Sequence, residues 1–288
     1  MGSQLFSYHY KNSLFRVEEN WGAYDYGSKN NNDITISVSL LTSIGSSSTL
    51  KKGRSLQSFG VIVPNFILDL TTDKESMLKN MNKSIQAEIK KAQKEGLIFH
   101  FTENPTDAQI NEFISLYNPF ARERNILEVN LDRLKVMREQ QALLISYIND
   151  HQNQILCAHT ILIDRHSNQA YGLYSYANYS NKTSAEKGIV GRANKYLHWK
   201  EIQLLKDKGL KWMNFGVEIF GEEGKGINEF KKKFGAIRGY DYRIYSAENF
   251  LGKIGLIGYY LKWRKLIKSY TNETNEEVSN GKKRGLMF

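Results

Sequence analysis

Three consecutive lysines stand between two phenylalanines in the C-terminal third of the chain. The run from Gly226 to Gly235 reads GINEFKKKFG and follows a charged, glycine-rich turn. A lysine held beside aromatic rings after such a turn can bind a diphosphate or stabilise a developing oxyanion. Phe230 and Phe234 are spaced to turn one helical face inwards, so only some of the lysines can point at a site. A solvated helix face is the alternative.

A second candidate for anion binding is the segment KGIVGRAN, residues 187–194. Two of its glycines stand three residues apart and open a predicted helix after a strand, so that backbone N–H groups could face an anion. Two basic side chains add positive charge. The alternative, a loop that needs glycine at its bend, has equal weight. The predicted donor-binding residues of this segment are Lys187, Gly188, Gly191, Arg192 and Asn194.

The composition limits the class of protein and of partner. The chain has 288 residues and a formal net charge of +10, which favours an anionic partner such as nucleic acid, a phosphorylated metabolite or an anionic membrane surface. Cys157 is the single cysteine, in an apolar stretch, and we expect an inert buried thiol. The start of the chain lacks the pattern of a signal peptide, and no apolar run approaches about eighteen residues. These patterns predict a cytoplasmic protein.

The elements that must position these residues follow an α+β plan. Residues 1–72 predict a small β-rich part. Residues 73–248 predict one long helix ending at Gly96, further helices, and then the order β-β-β-α-β, with the last helix over 189–209. This order predicts a mixed, mostly antiparallel sheet flanked by helices. A Pro64-Asn65 turn is expected to interrupt an early strand.

Residues 249–288 predict a basic helix followed by a disordered tail. Over residues 250–270 the apolar positions, among them Leu256, Tyr259, Tyr260 and Trp263, fall on one broad helical face, with lysines and arginine over the remainder. This pattern fits peripheral contact with the inner face of a membrane. A terminal helix docked on the domain is the alternative. The polar residues 271–288 are expected to be disordered.

Three segments in order resemble the Fem-type (FemAB-like) aminoacyl and peptidyl transferases, part of the wider GNAT acyltransferase superfamily. They are LDLTTDKESMLKNMNKSIQAEIKKAQKEG, GRANKYLHWKEIQLLKDKGLKWMNFG and GINEFKKKFG, and together they cover roughly residues 60–240. The resemblance implies a GNAT-like fold, with a degenerate GNAT-like part at the N-terminus. It also implies that the Phe-Lys pair of the family, which contacts substrate phosphate, falls on Phe230 and Lys231.

The resemblance implies acyl transfer from an activated donor to an amine. No tightly bound cofactor is expected. The donor is an aminoacyl-tRNA, as in Fem-type enzymes, or acyl-coenzyme A, as in other GNAT proteins. The implied acceptor is a nucleotide- or lipid-linked sugar or peptide precursor. Two departures from the family pattern are Asn214-Phe215-Gly216-Val217 at the strand end, in place of Asp-Phe-Gly-Gly, and Gln86 in place of an arginine.

Acyl transfer to an amine needs a deprotonated nucleophile and a stabilised oxyanion. Lys231 is the predicted catalytic lysine, with the other two lysines as supporting charge. His198 on the helix and Glu218 after the strand are the candidate bases, although either could be purely structural and the base could instead come from the substrate or from water. Trp199 and Gly216 complete the predicted substrate-binding residues, and no metal ligands are predicted.

The leading hypothesis is therefore an N-acyltransferase acting on a cell-wall or surface-polysaccharide precursor. The alternative is a non-catalytic protein that binds nucleic acid or a membrane surface on a degenerate GNAT fold. The net charge of +10 and the imperfect motifs favour that alternative.

Overall fold

The computed structural model describes residues 6–21, 32–41, 50–52, 57–247 and 249–265. The strands are β1 (Phe6–Asn12), β2 (Phe15–Trp21), β3 (Ile34–Leu41), β4 (Leu50–Lys52), β5 (Ser58–Asp69), β6 (Ile98–Glu103), β7 (Leu143–Asn149), β8 (Ile155–Asp164), β9 (Gln169–Ala177), β10 (Trp212–Val217) and β11 (Ile237–Ser246). The helices are α1 (Lys74–Asn80), α2 (Lys83–Lys94), α3 (Asp107–Glu123), α4 (Leu131–Glu139), α5 (Ser184–Asp207), α6 (Glu222–Lys233) and α7, residues 250–265.

The chain forms two compact units. Unit 1 comprises Met1–Phe66, Val217–Lys232 and Arg238–Phe288, and unit 2 comprises Ile67–Gly216 and Lys233–Ile237. The domain boundaries that the sequence predicts, after residues 72 and 248, stay a prediction. The tail over 271–288 lies outside the described residues.

Unit 1 is built on strands in the order β1-β2-β3-β11-β5, with β4 paired to β5. β1 and β2 form an antiparallel hairpin, β2 runs parallel to β3, and β3 runs antiparallel to β11. The expected turn at Pro64-Asn65 is wrong, because β5 continues through both residues. The Pro64 carbonyl accepts from the Glu218 N–H at 2.8 Å, and the Asn65 amide donates to buried Asp241 at 2.7 Å. Pro64 and Asn65 therefore both form hydrogen bonds as residues of a continuous strand.

Unit 2 contains strands in the order β10-β9-β8-β7-β6. The β6–β7, β7–β8 and β8–β9 pairs are antiparallel, and β9–β10 is parallel. Because side chains alternate along a strand, Ser146 of β7 faces α5 while Ile145 and Tyr147 face α3. Helices therefore cover both faces. The predicted α+β class with a mixed, mostly antiparallel sheet is confirmed.

Two helix boundaries differ from the predictions. The long helix ending near Gly96 is two helices, because the Asn82 side chain accepts from the Ser84 N–H at 2.9 Å and starts α2 afresh. The helix predicted to start at Ile189 begins at Ser184. Thr183 and Glu186 form a capping box there, each side chain bonded to the other residue's backbone N–H.

The core of unit 2 between α2, α5 and the sheet is apolar. It includes Ala92, Ile148, Leu156, Cys157, Val190 and Leu197, all buried. The expectation that Cys157 is buried is confirmed, and burial raises the pKa of its thiol well above its ordinary value. In the part of the chain that the structure describes, no helix has the length and apolar content needed to cross a bilayer.

Candidate active site

A carboxylate lies fully buried in the apolar core of unit 2. Glu201 occupies the inward face of α5, between Leu197 and Leu205 one turn to either side, and none of its surface is exposed. Burying an ionised carboxylate is unfavourable unless partners compensate. The partners come from two strands: Ser146 of β7 and His159 of β8 are cross-strand neighbours and face the helix together.

The hydrogen bonds of this buried cluster hold Glu201 from both strands. The Ser146 hydroxyl donates to Glu201 Oε1, and His159 Nδ1 lies 2.8 Å from the same oxygen. The other ring nitrogen of His159, Nε2, lies 3.0 Å from Asn194 Oδ1 on α5. Both ring nitrogens of His159 are therefore within hydrogen-bonding distance of polar partners inside unit 2.

The histidines keep Glu201 ionised. Burial raises the pKa of Glu201, but the charge and hydrogen bond of His159, together with the nearby His198, outweigh burial and bring it down to about 2. These partners favour the ionised form of Glu201 inside unit 2.

His198 lies beside this charge and is partly open to solvent. Its Nδ1 is 3.2 Å from Glu201 Oε2, within ion-pair distance, although the angle falls short of a hydrogen bond. The ring is 4.4 Å from that of His159 and 5.5 Å from those of Phe215 and Phe234, between centroids. A buried carboxylate at this distance would stabilise a positive charge that forms on the His198 ring.

The parallel strands β9 and β10 stop pairing next to His198. Their register covers Trp212–Gln169, Met213–Ala170 and Asn214–Tyr171, and the described residues form no β9–β10 pair beyond it. Phe215, which contacts the His198 ring, is the next residue of β10. The backbone turns there, with the Asn214 side chain accepting from the Gly216 N–H at 2.8 Å and Gly216 at a φ of +84°. An extended ligand could enter where the strands part.

The cluster also has the composition of a metal site. His159, His198 and Glu201 each offer one ligand atom, and these atoms lie within 4.8 Å of one another. Two imidazoles and one carboxylate are a set that zinc accepts. Ser146 and Asn194 already bond to the same carboxylate and imidazole, which explains their burial without an ion. The sequence prediction of no metal site stays a prediction.

Lys231 is a buried lysine of unit 1. Its Nζ donates to the Val217 carbonyl at 2.8 Å and lies 5.6 Å from the centre of the Phe66 ring, and only 7% of the residue is exposed. Asn228 positions this part of α6, since its amide bonds both backbone groups of Ile219. Burial lowers the pKa of Lys231 from 10.5 to about 8, against the opposing charge of Glu218.

The residues next to Lys231 are more exposed than Lys231 itself. Lys232 is exposed and forms an ion pair with Glu229, and Phe230 is half-buried. Glu218, one of the two candidate bases, forms an ion pair with Arg238 at 2.5 Å. Lys231, Phe230 and Glu218 thus belong to unit 1, whereas His198 and the predicted donor-binding segment belong to unit 2.

The predicted donor-binding segment lies inside α5 rather than in a loop before it. Gly188 and Gly191 are helical, so their N–H groups fall within the ladder of the helix, and Lys187 is exposed on the first turns. Arg192 forms two bonds to Glu95, at 2.6 and 2.9 Å, which join α5 to α2. Trp199 is buried in the core, while Asn194 reaches His159. The binding roles of these residues stay predictions.

Sequence reasoning overlooked Ser146, His159 and Glu201. One signal was available: Glu201 interrupts the apolar series Leu197, Leu205 on a helix, and a charge on an inward face implies a buried partner. Nothing local to Ser146 or His159 distinguishes them from ordinary polar residues of a strand.

No protein-family model matches the chain, and no curated protein matches it in sequence. FemX matches in structure with a TM-score of 0.51 at 10% identity, over 62% of this chain and 61% of FemX, so the chain spans less than two thirds of FemX. L-PGS from Bacillus licheniformis matches with a TM-score of 0.49 at 13% identity, over 84% and 85% of the two chains.

A third match is the C-terminal domain of a putative lysylphosphatidylglycerol synthetase from Agrobacterium fabrum. It has a TM-score of 0.48 at 9% identity, over 88% of each chain. The two matches with TM-scores below 0.5 carry no argument about this chain. At an identity of 10% the likeness to FemX shows a common fold and nothing about substrates.

Proposed function

We propose that the chain is an N-acyltransferase that moves an aminoacyl or acyl group onto an amine of a cell-wall or surface-polysaccharide precursor. The fold shared with FemX and the three sequence segments that resemble Fem-type transferases support this class of reaction. One observation carries the proposal: His198 lies at ion-pair distance from the buried carboxylate of Glu201, next to the point where the pairing of β9 and β10 ends.

In the proposed reaction His198 is the general base. It takes a proton from the acceptor amine while the nitrogen attacks the donor carbonyl, and the C–N bond forms. The bond from the carbonyl carbon to the donor oxygen or sulfur then breaks, and the proton passes to that leaving atom. Glu201 stabilises the imidazolium between the two steps, and Ser146 and His159 hold Glu201 in place.

The donor that fits best is an aminoacyl-tRNA. A coenzyme A diphosphate would be held by a helix N-terminus with free positive potential. At the start of α5 the carboxylate of Glu186 already occupies the cap, and its bonds to Thr183 lower its pKa. The charge of Arg192 is compensated by Glu95. The net charge of +10 suits a polynucleotide.

Lys231 of unit 1 stays a proposed phosphate-binding residue, with Phe230 beside it. A precursor linked to a nucleotide or lipid carries phosphate groups near its sugar or peptide. With a pKa of about 8, Lys231 is charged at neutral pH and loses its proton only in mildly alkaline solution. Its burial makes a phosphate contact stronger than an exposed lysine could, because water screens it less.

A mass-spectrometric transfer assay tests the proposal. The protein is incubated with charged tRNA or with acetyl-coenzyme A, and with amine-bearing nucleotide-linked or lipid-linked precursors. We expect a mass increase of the acceptor with charged tRNA. His198→Asn should abolish it, whereas His166→Asn, at an exposed turn of the same unit, should not. Salt-sensitive tRNA binding without transfer to any acceptor would instead favour the non-catalytic alternative.

A further inference from the structure

Helix α7 has two apolar faces, and among the residues that the structure describes only one of these faces packs against the protein. The packed face carries Gly252, Leu256 and Trp263, all buried in unit 1. The helix lies so close that a Cβ on Gly252 would come within 1.7 Å of the Asp33 carbonyl oxygen. Trp263 packs on Tyr245, with 6.3 Å between ring centres. The docking that the sequence offered as one alternative is therefore present over the described part of this helix.

The opposite face is apolar and exposed. Phe250, Ile254, Ile257 and Leu261 have 80%, 50%, 57% and 54% of their surface open to solvent. At about 100° per residue these four positions fall within an arc of about 60°. They form a continuous stripe along the helix, here called the exposed stripe, and Leu251, 42% exposed, lies at its edge.

Positive charges border the exposed stripe on both sides. On the same helical projection Lys253 and Arg264 lie on one flank, and Lys262 and Lys265 on the other. Residues 250–265 contain no aspartate or glutamate. An apolar stripe between two rows of cations is the arrangement of a helix that lies in the plane of a bilayer surface.

We propose that the exposed stripe of α7 inserts into the surface of an anionic phospholipid bilayer, while the opposite face holds the helix on unit 1. Charge complementarity selects this occupant, since the flanking cations match anionic headgroups and the stripe reaches the acyl boundary below them. A scattered exposed leucine is ordinary, but a contiguous apolar patch on one helix marks an interaction surface. The proposal is independent of the acyl-transfer reaction.

The surface differs from the one that the sequence suggested. The sequence assigns membrane contact to the face with Leu256, Tyr259, Tyr260 and Trp263. In the structure that face is turned towards unit 1, where Tyr260 packs edge-on against Phe59 and Tyr259 lies against Tyr245. The residues that meet the bilayer in this proposal are those of the exposed stripe.

Vesicle flotation of the full chain tests the proposal. Vesicles of phosphatidylglycerol and phosphatidylcholine are compared with vesicles of phosphatidylcholine alone. We expect binding to the anionic vesicles and a loss of at least ten-fold in Ile254→Gln/Ile257→Gln. Ile237→Gln, an exposed isoleucine outside α7, is the matched control and should bind as the wild type does. Lys253→Gln/Lys262→Gln should weaken binding by about five-fold for each charge removed.

Several results would overturn the proposal. They are no binding to anionic vesicles, equal binding to both kinds of vesicle, or an equal loss in Ile237→Gln. Light scattering of the wild type and of Ile254→Gln/Ile257→Gln covers the competing occupant, a second copy of the chain. A concentration-dependent dimer that disappears in the double variant would assign the exposed stripe to self-association instead. Circular dichroism of each variant confirms that the fold is retained.

Discussion

The buried ammonium of Lys231 destabilises the fold by an amount that its removal should reveal. One pKa unit corresponds to about 1.4 kcal/mol, so lowering the pKa from 10.5 to about 8 disfavours the charged, folded form by about 3 kcal/mol at pH 7. Lys231→Met keeps an unbranched apolar stem and removes the charge. It also removes the hydrogen bond to the Val217 carbonyl, and this loss offsets about 1 kcal/mol of the gain in stability. We expect the variant to be more stable than wild type by about 2 kcal/mol.

The pH dependence of this gain gives a second check. The folded pKa of Lys231 lies below the unfolded one, so the unfolded chain binds the proton more tightly. The stability of the wild type is therefore lowest below about pH 8 and recovers as the pH rises towards 10.5. The advantage of Lys231→Met should be largest at pH 7 and should shrink above pH 8. Loss of transfer activity should accompany the gain in stability.

Urea unfolding followed by tryptophan fluorescence measures both effects, at pH 7 and at pH 9.5. Lys232→Met is the matched control, because that neighbouring lysine is exposed, and its unfolding free energy should change by less than about 0.5 kcal/mol. The reasoning is refuted if Lys231→Met is less stable than wild type at pH 7. A gain that stays constant with pH refutes it equally, because the gain would then not come from the buried charge.

Three further predictions concern packing and charge. Glu201→Gln should lower the unfolding free energy by about 3 kcal/mol in urea titrations, since it removes the buried carboxylate to which Ser146 and His159 are hydrogen-bonded; an unchanged midpoint would contradict this. A double-mutant cycle on Arg192 and Glu95 should give a coupling free energy of about 1 kcal/mol. A value near zero would show that this ion pair does not stabilise the fold. Gly252→Ala should lower the melting temperature by several degrees, whereas Gly258→Ala, with no atom near its Cβ position, should not. Equal melting temperatures would mean that α7 is not docked.

Much of the fold follows from local pattern. Alternating strands and short turns predict the β-β-β-α-β order of unit 2, and its sheet has that order with the expected mixture of pairings. The two helix starts that the sequence pattern predicted wrongly are also determined by neighbouring residues. Thr183 and Glu186 have the spacing of a capping box, and Asn82 precedes Ser84 at an ordinary N-cap. Counting apolar periodicity alone passes over these caps, because they are set by polar side chains.

The buried cluster could not be derived in the same way. Ser146 and Glu201 are 55 positions apart and His159 and Glu201 are 42 apart. Only the register between β7 and β8, together with the packing of α5 on that face, brings the three side chains together. The two faces of α7 show the same limit, because a helix that is apolar on both sides does not reveal which side packs until its neighbours are known.

The central claim is that His198, which lies at ion-pair distance from Glu201, is the base of an acyl transfer. Single-turnover kinetics with a labelled aminoacyl-tRNA and an amine-bearing precursor test it most directly, with His198→Asn compared against His166→Asn. Label should move from the tRNA to the acceptor amine, and His198→Asn should slow that step by at least about a hundred-fold with substrate affinity retained. No transfer of label by the wild type, or equal rates in the wild type and His198→Asn, would contradict the account.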